Sequence, residues 1–221
     1  MNTKHLIPIM ITMLVGVAAA DWSDNFDSYS PGGLHGLGGW AGWDNDPQWD
    51  ATVTNSISTS SPNSVGILPS TDIVQEFDES SGSWLITAMQ YIPSGGSNDQ
   101  FFIMHNVYSP GGTFICVHDL IFYLNTGTVE FYQAGSTASI VFDQWVEIKV
   151  EVNLDANTQS AYYNGTLLGS AAWATTGAIA IATINLFSWG ASTIYYDDLE
   201  MVSTTATLEQ MSWAGLKAAN H

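Results

Sequence analysis

Between residues 38 and 49, Trp40, Trp43 and Trp49 lie among Gly39, Gly42, Asp44, Asn45, Asp46 and Gln48. An indole face can cover the C–H side of a pyranose, while Asp and Asn accept from its hydroxyls. Trp40, Trp43, Asp44, Asn45, Asp46 and Trp49 are therefore candidates for holding a shallow polar ligand such as a glycan. The same tryptophans also suit a structural task, anchoring a long loop to the domain edge, because indoles are usually well buried.

Other groups that could do chemistry are sparse. His105 and His118 fall in strand-like stretches and His35 in a Gly-rich one, none with a second ligand at metal spacing, so all three read as structural or surface histidines. Cys116 is the only cysteine, which excludes an intrachain disulfide, and its apolar setting over residues 113–117 predicts a buried, inert thiol. Glu76, Asp78 and Glu79 have turn residues around them and read as a charged loop. No Ser or Cys nucleophile signature is present.

The elements that must position these groups are strands. Val146, Ile148, Val150, Val152 and Leu154 alternate with Glu147, Lys149, Glu151 and Asn153, the period of a half-buried strand. That period sends Glu147 and Glu151 to the wet face beside Lys149. Asp155, Ala156 and Asn157 break the run, and the next strand ends at Asn164-Gly165, the dipeptide suited to a type I′ hairpin. That turn also accounts for Asn164-Gly165-Thr166 without invoking its glycosylation sequon.

Further strands are expected over residues 51–58, 64–68, 72–77, 84–92, 100–107, 113–124, 128–132, 159–163, 166–170, 178–189 and 193–202. Many short strands and no helical period before the tail predict an all-β sandwich. Tyr29-Ser30-Pro31-Gly32-Gly33 and Tyr108-Ser109-Pro110-Gly111-Gly112 should form similar type II turns.

The ends differ in character. Residues 1–20 read as an export signal, with Lys4, an apolar run and Ala18-Ala19-Ala20 before the cleavage point, so the chain is expected to be secreted or displayed at the cell surface. The sandwich then occupies residues 21–203, and residues 204–221 form a linker and a short helix from Thr207 to Ala219. That tail could dock, fray or join neighbouring copies in a surface matrix.

The chain has 221 residues, 21 acidic side chains against three lysines, no arginine and a formal charge of −18. Removal of residues 1–20 loses Lys4 and gives −19, which disfavours nucleic acid and anionic membranes as partners. No membrane span is expected in the mature chain.

The hairpin, the Tyr162-Tyr163-Asn164-Gly165-Thr166 turn and the closing Tyr195-Tyr196-Asp197-Asp198-Leu199 resemble the concanavalin A-like lectin/glucanase and laminin-G group of jelly rolls, as found in secreted bacterial proteins. The resemblance extends through Asp24 to Tyr29, residues 38–46, Asn63-Ser64-Val65 and residues 84–93, covering most of residues 22–202. It implies a two-sheet antiparallel jelly-roll sandwich that often binds carbohydrate or an extracellular protein, sometimes with a structural calcium ion. Since such sandwiches often bring their terminal strands together, Asp27 and Asp198 are the expected calcium ligands, with Asp24 and Asp197 as alternatives. The Glu-x-Asp-x-x-Glu strand motif of the glucanases is absent, and a glycoside hydrolase or polysaccharide lyase would need an unfamiliar site. A non-catalytic binding module is the leading expectation, with a structural surface protein beside it.

Overall fold

The computed structural model describes residues 21–204. The export signal expected over residues 1–20 and the helix expected between Thr207 and Ala219 lie outside the described residues. Sixteen strands run in chain order: β1 (Trp22–Asp24), β2 (Gly32–Gly33), β3 (Trp40–Gly42), β4 (Thr52–Thr54), β5 (Ser64–Ile67), β6 (Asp72–Glu79), β7 (Ser83–Tyr91) and β8 (Asp99–Val107). They continue as β9 (Ile115–Tyr123), β10 (Thr128–Phe131), β11 (Ser136–Ser139), β12 (Trp145–Asn153), β13 (Thr158–Tyr163), β14 (Thr166–Ala172), β15 (Ile181–Trp189) and β16 (Ile194–Ser203).

Two antiparallel sheets result. The nine-stranded sheet is ordered β14-β13-β12-β7-β16-β5-β4-β2, with β1 added on β16, and the seven-stranded sheet is ordered β11-β10-β9-β8-β15-β6-β3. Their inner faces form one core, in which Ile86, Ala88, Val146, Ile148, Val150 and Val152 meet Phe102, Met104, Leu120, Phe122, Ile184 and Leu186. The alternation in β12 does what its sequence requires: Val146, Ile148, Val150 and Val152 are buried, and Glu147 and Glu151 are exposed. Lys149 bonds Glu151 at 2.8 Å and lies 3.8 Å from the Tyr162 ring centroid, so this acidic pair is a wet face.

At the hairpin, Asn164 (φ 47°) and Gly165 (φ 73°) both take left-handed backbone, as type I′ requires. Of the two Tyr-Ser-Pro-Gly-Gly segments, only the second closes as expected, with Gly112 N–H donating to Ser109 O at 2.8 Å and Gly111 at φ 68°. In the first, Gly32 extends into β2 and pairs with Val53, because a strand partner is within reach there. Glu76, Asp78 and Glu79 belong to strand β6, contrary to the loop expected for them, since β15 and β3 flank β6 and supply its ladder.

Candidate functional site

The outer face of the seven-stranded sheet gathers the chemistry. Inward positions of β8 and β15 belong to the core, so the alternate positions turn to the opposite face. The ladder aligns them in rows: Glu76, Thr183, His105 and Cys116; then Val74, Asn185, Ile103 and Asp119; then Asp72, Phe187 and Phe101. Val74 and Ile103 are buried yet lie outside the core cluster, as expected for residues on this second face.

Two aromatic groups bracket the polar rows. At one end the His105 ring packs against Trp43 (5.6 Å between centroids), Tyr108 (6.0 Å) and Phe114 (5.8 Å), and Trp43 meets Tyr108 and Phe114 edge-on at 4.9 Å each. At the other end Phe101 packs on Phe187 at 5.3 Å and Phe187 on Trp189 at 6.0 Å. Trp189 is 70% exposed and Phe114 52%. Along β15, Thr183 and Phe187 are separated by about 13 Å at about 3.3 Å per residue.

The loop of residues 43–49 is fastened over the first aromatic group. Asp44 N–H donates to Tyr108 Oη at 3.1 Å, and Asp44 Oδ1 accepts from Gly111 N–H at 2.7 Å. Asp46 caps the short turn Pro47–Trp49, accepting from Gln48 N–H at 2.9 Å. Gly42 must be glycine here, since a Cβ would meet Asp46 O at 2.1 Å. Asn45 is exposed with left-handed backbone, and Trp49 is 37% exposed.

Trp40 does not join this surface. It is 1% exposed in β3, its ring lies against Trp22 and Phe26, and its indole N–H donates to Asp24 Oδ2 at 3.0 Å. Of the six expected ligand residues, the structure thus brings Trp43 and Asp44 onto the sheet face, keeps Asn45, Asp46 and Trp49 in the flanking loop, and places Trp40 in the core.

Burial tunes the titratable groups of this face. Asp72 accepts from Asn185 Nδ2 at 2.7 Å, yet desolvation, reinforced by the charge of Asp44, pushes its carboxyl up to about 6. Asp119 is likewise raised by burial, opposed by its bond from Gln133 Nε2 at 2.5 Å. His105 is 1% exposed, and burial lowers it to about 4, leaving a neutral ring whose Nδ1 lies 2.7 Å from Thr183 Oγ1. The Tyr108 hydroxyl is raised by burial and by the carboxylates of Asp44, Glu76 and Asp72.

Cys116 is exposed, not buried as its apolar neighbours suggested, because the β8–β9 ladder shifts register beside it. Its thiol is pushed up by desolvation and then by Asp119 and Asp72, so it stays protonated near neutral pH. It lines a cavity of about 490 Å³ with Tyr132, Gln133, Trp173, Thr175 and Thr176, next to Asp119. His118 lies in the core and His35 fixes the first loop, its Nδ1 accepting from Gly42 N–H at 3.0 Å.

Sequence reasoning missed Asp72, Asp119 and Asn185 as site residues. The available signal was a polar residue at an alternate position of a strand whose other face is apolar, read together with the same feature in three neighbouring strands.

The acidic ends of the domain form a separate arrangement. Asp27 Oδ1 accepts from Asn63 N–H at 2.9 Å and Oδ2 from Asn25 Nδ2 at 3.0 Å. Asp198, at a bulge with φ 46°, accepts from Ser60 Oγ at 2.7 Å, and Asp197 Oδ2 accepts from the N–H groups of Thr59 and Ser60. Asp24 is satisfied by Phe26 N–H, Tyr29 Oη–H and the Trp40 indole. Residues 59–63 therefore join the two ends through amide and hydroxyl donors. Among the described residues no group of three His, Cys, Asp or Glu side chains is placed to hold a metal ion.

No family model matches the chain, and no curated protein sequence matches it. Among solved structures it is similar to a sialidase, at 12% identity and TM-score 0.59, over 85% of this chain and 19% of that one. It is also similar to a protein described as a candidate glycosyl hydrolase from Parabacteroides distasonis, at 13% identity and TM-score 0.51, over 75% of this chain and 88% of that one. The chain thus spans only a minor part of the sialidase it matches. Likeness at such identity establishes architecture: the domain has the concanavalin A-like jelly-roll fold, shared with these two carbohydrate-active neighbours.

Proposed function

We propose that this domain is a non-catalytic glycan-binding module of an exported protein, and that the glycan lies along the outer face of the seven-stranded sheet. The observation that carries this reading is the pair of aromatic groups, Trp43 with Tyr108 and Phe114, and Phe101 with Phe187 and Trp189, flanking largely buried polar side chains on the outer face of the seven-stranded sheet. Aromatic faces supply apolar contact for sugar rings and the half-buried Asp72 and Asp119 supply hydrogen bonds, while the sialidase and glycosyl hydrolase likenesses favour a carbohydrate ligand.

Asp72 and Asp119 are too far apart to work together as a glycosidase pair. Asp72 and Asp119 are the two carboxyls here with raised pKa, but β6 and β9 are three strand steps apart, about 14 Å at about 4.8 Å per step. That exceeds the separation of up to about 9.5 Å used by inverting glycosidases. In a polysaccharide array, the mature domain is expected to retain at least one glycan, and Trp43→Ala to weaken retention by about ten-fold or more, as for a lost stacking anchor. Absence of binding to every glycan tested would overturn the reading.

The structural calcium expected at Asp27 and Asp198 is open to direct measurement. With residues 59–63 already bonded to these carboxylates, a chelator is expected to leave the melting temperature unchanged. Asp198→Ala, which removes the Ser60 bond, is expected to lower it by about 2–4 °C, for about 1 kcal/mol. A chelator-induced drop that Asp198→Ala abolishes would place calcium at this end.

A further inference from the structure

We infer that the cavity beside β9, bordered by Tyr132, Gln133 and residues 173–176, holds the terminal sugar residue of the glycan, and that this residue is uncharged. This rests on the glycan-binding reading above, to which it adds an end point and a ligand class.

The cavity exists because one ladder stops early. Strand β10 pairs with β9 only from Leu120 to Tyr123, and after Phe131 the chain leaves the sheet in the short turn Tyr132–Ala134, ended by Gly135 at φ 61°. Residues 115–119 of β9 run on without that neighbour, and side chains do part of its work: Gln133 Oε1 accepts from Asp119 N–H at 2.9 Å, and Gln159 Nε2 donates to Val117 O at 2.7 Å. The space beside them is the cavity of about 490 Å³, within the roughly 300–1,000 Å³ of small-molecule sites.

Its walls are tied down. Asn106 Nδ2 donates to Thr176 O at 2.7 Å and to Ala178 O at 2.6 Å, Asn157 holds Ala174 through both of its amide atoms, and the Trp173 indole N–H donates to Ala180 O at 2.9 Å. Such preorganisation lowers the ordering cost of binding. On the far side Gly169 of β14 lies so near the turn that a Cβ there would stand 2.7 Å from the Ala134 Cβ, so the turn and β14 close the cavity. On the near side Cys116 is exposed beside His105 in the ladder and belongs to the outer face and the cavity alike. A glycan that crosses the face from Trp43 and enters here ends here.

Among the described residues that line the cavity there is no Asp, Glu, Lys, Arg or His. The hydroxyls of Tyr132, Thr175 and Thr176 can each donate and accept, and the Gln133 amide keeps one N–H and one lone pair after its two bonds to Asp119. Tyr132, 63% exposed, adds an aromatic ring. Sugar hydroxyls use both roles. A sugar carboxylate would find no cation in the lining and would meet the charge of Asp119 behind Gln133, while an ammonium group would find no carboxylate in the lining.

The test titrates glucose, galactose, mannose and glucuronate, galacturonate and mannuronate calorimetrically into the mature protein. At least one neutral sugar is expected to bind with a Kd of about 1–10 mM, and its uronate at least about ten-fold more weakly. Thr175→Trp, at an exposed position where an indole would fill the cavity, should weaken that sugar by about ten-fold or more, whereas Trp43→Ala should leave it within about two-fold. The bound sugar should also slow alkylation of Cys116, the single thiol, by iodoacetamide. Circular dichroism confirms that the variant is folded, and Tyr132→Ala takes its place if it is not. No binding of any neutral sugar, a uronate bound as tightly, unchanged alkylation, or a loss in Trp43→Ala with none in the cavity variant would overturn the inference. If a polysaccharide array still shows a glycan that Trp43→Ala weakens, the glycan-binding reading survives alone. If neither a monosaccharide nor any arrayed glycan binds, both readings fall.

Discussion

Replacing Trp40 by alanine is expected to cost about 3–5 kcal/mol of folding stability, in the range of buried tryptophan truncations. The ring is fully enclosed among Trp22, Phe26 and the inner face of the sandwich, and its N–H is one of three donors that satisfy the Asp24 carboxylate. Truncation leaves a cavity and strips a buried carboxylate of a partner, two costs that add. Urea denaturation measures the loss, while the glycan affinity of the remaining folded fraction should match that of the parent protein. A loss under about 1 kcal/mol, or a loss of affinity with stability intact, would return Trp40 to the ligand surface. A domain of this size has about 5–15 kcal/mol in hand, so the variant should fold but melt early.

That contrast between Trp40 and Trp43 marks where the sequence stops being legible. Strand β12 carries enough alternation to show a face, and the Asn164-Gly165 turn has a backbone demand that few dipeptides meet. The sandwich class follows from these. Strand β3 has three residues and a Gly-Gly lead, too little for any period to separate an inward indole from an outward one. Its deciding partner, Asp24, lies sixteen residues upstream. Strands β1, β2 and β11 escape notice for the same reason: short segments whose conformation comes from ladder partners elsewhere in the chain.

The site was legible only in part, because a sheet surface is assembled from alternate residues of strands distant in sequence. Asp72, His105, Asp119 and Asn185 share a face through ladder register alone, with no local motif among them. The acidic ends show the converse. Local chemistry singles out Asp27 and Asp198 as a pair from opposite ends of the chain, and residues 59–63 bring N–H and O–H donors to both ends.

A second large loss is expected from Gln159→Leu, about 3–5 kcal/mol, although the residue changes volume little. Gln159 is 1% exposed on β13, and its side chain reaches across to the other sheet, where Oε1 lies 2.7 Å from His118 Nδ1. Its Nε2 donates to Val117 O at 2.7 Å and Ala172 O at 2.9 Å, so one amide ties β9 of one sheet to β13 and β14 of the other. Leucine would leave both carbonyls without this donor and would leave the imidazole with no partner, since His118 Nε2 has none already. The ring cannot escape by taking a proton, because burial holds it down at about 4 from an ordinary 6.5. Below pH 6.5 the unfolded chain gains a proton that the core refuses, so the His118 contribution is intact above that pH and is lost between 6.5 and about 4. His118→Leu should therefore be less acid-sensitive than the parent across that window. Combined with Gln159→Leu, it should cost less than the sum of the single losses by about 1–2 kcal/mol, since the orphaned imidazole disappears while the two carbonyls remain. Strict additivity in a double-mutant cycle would show that the amide and the imidazole do not act as a pair.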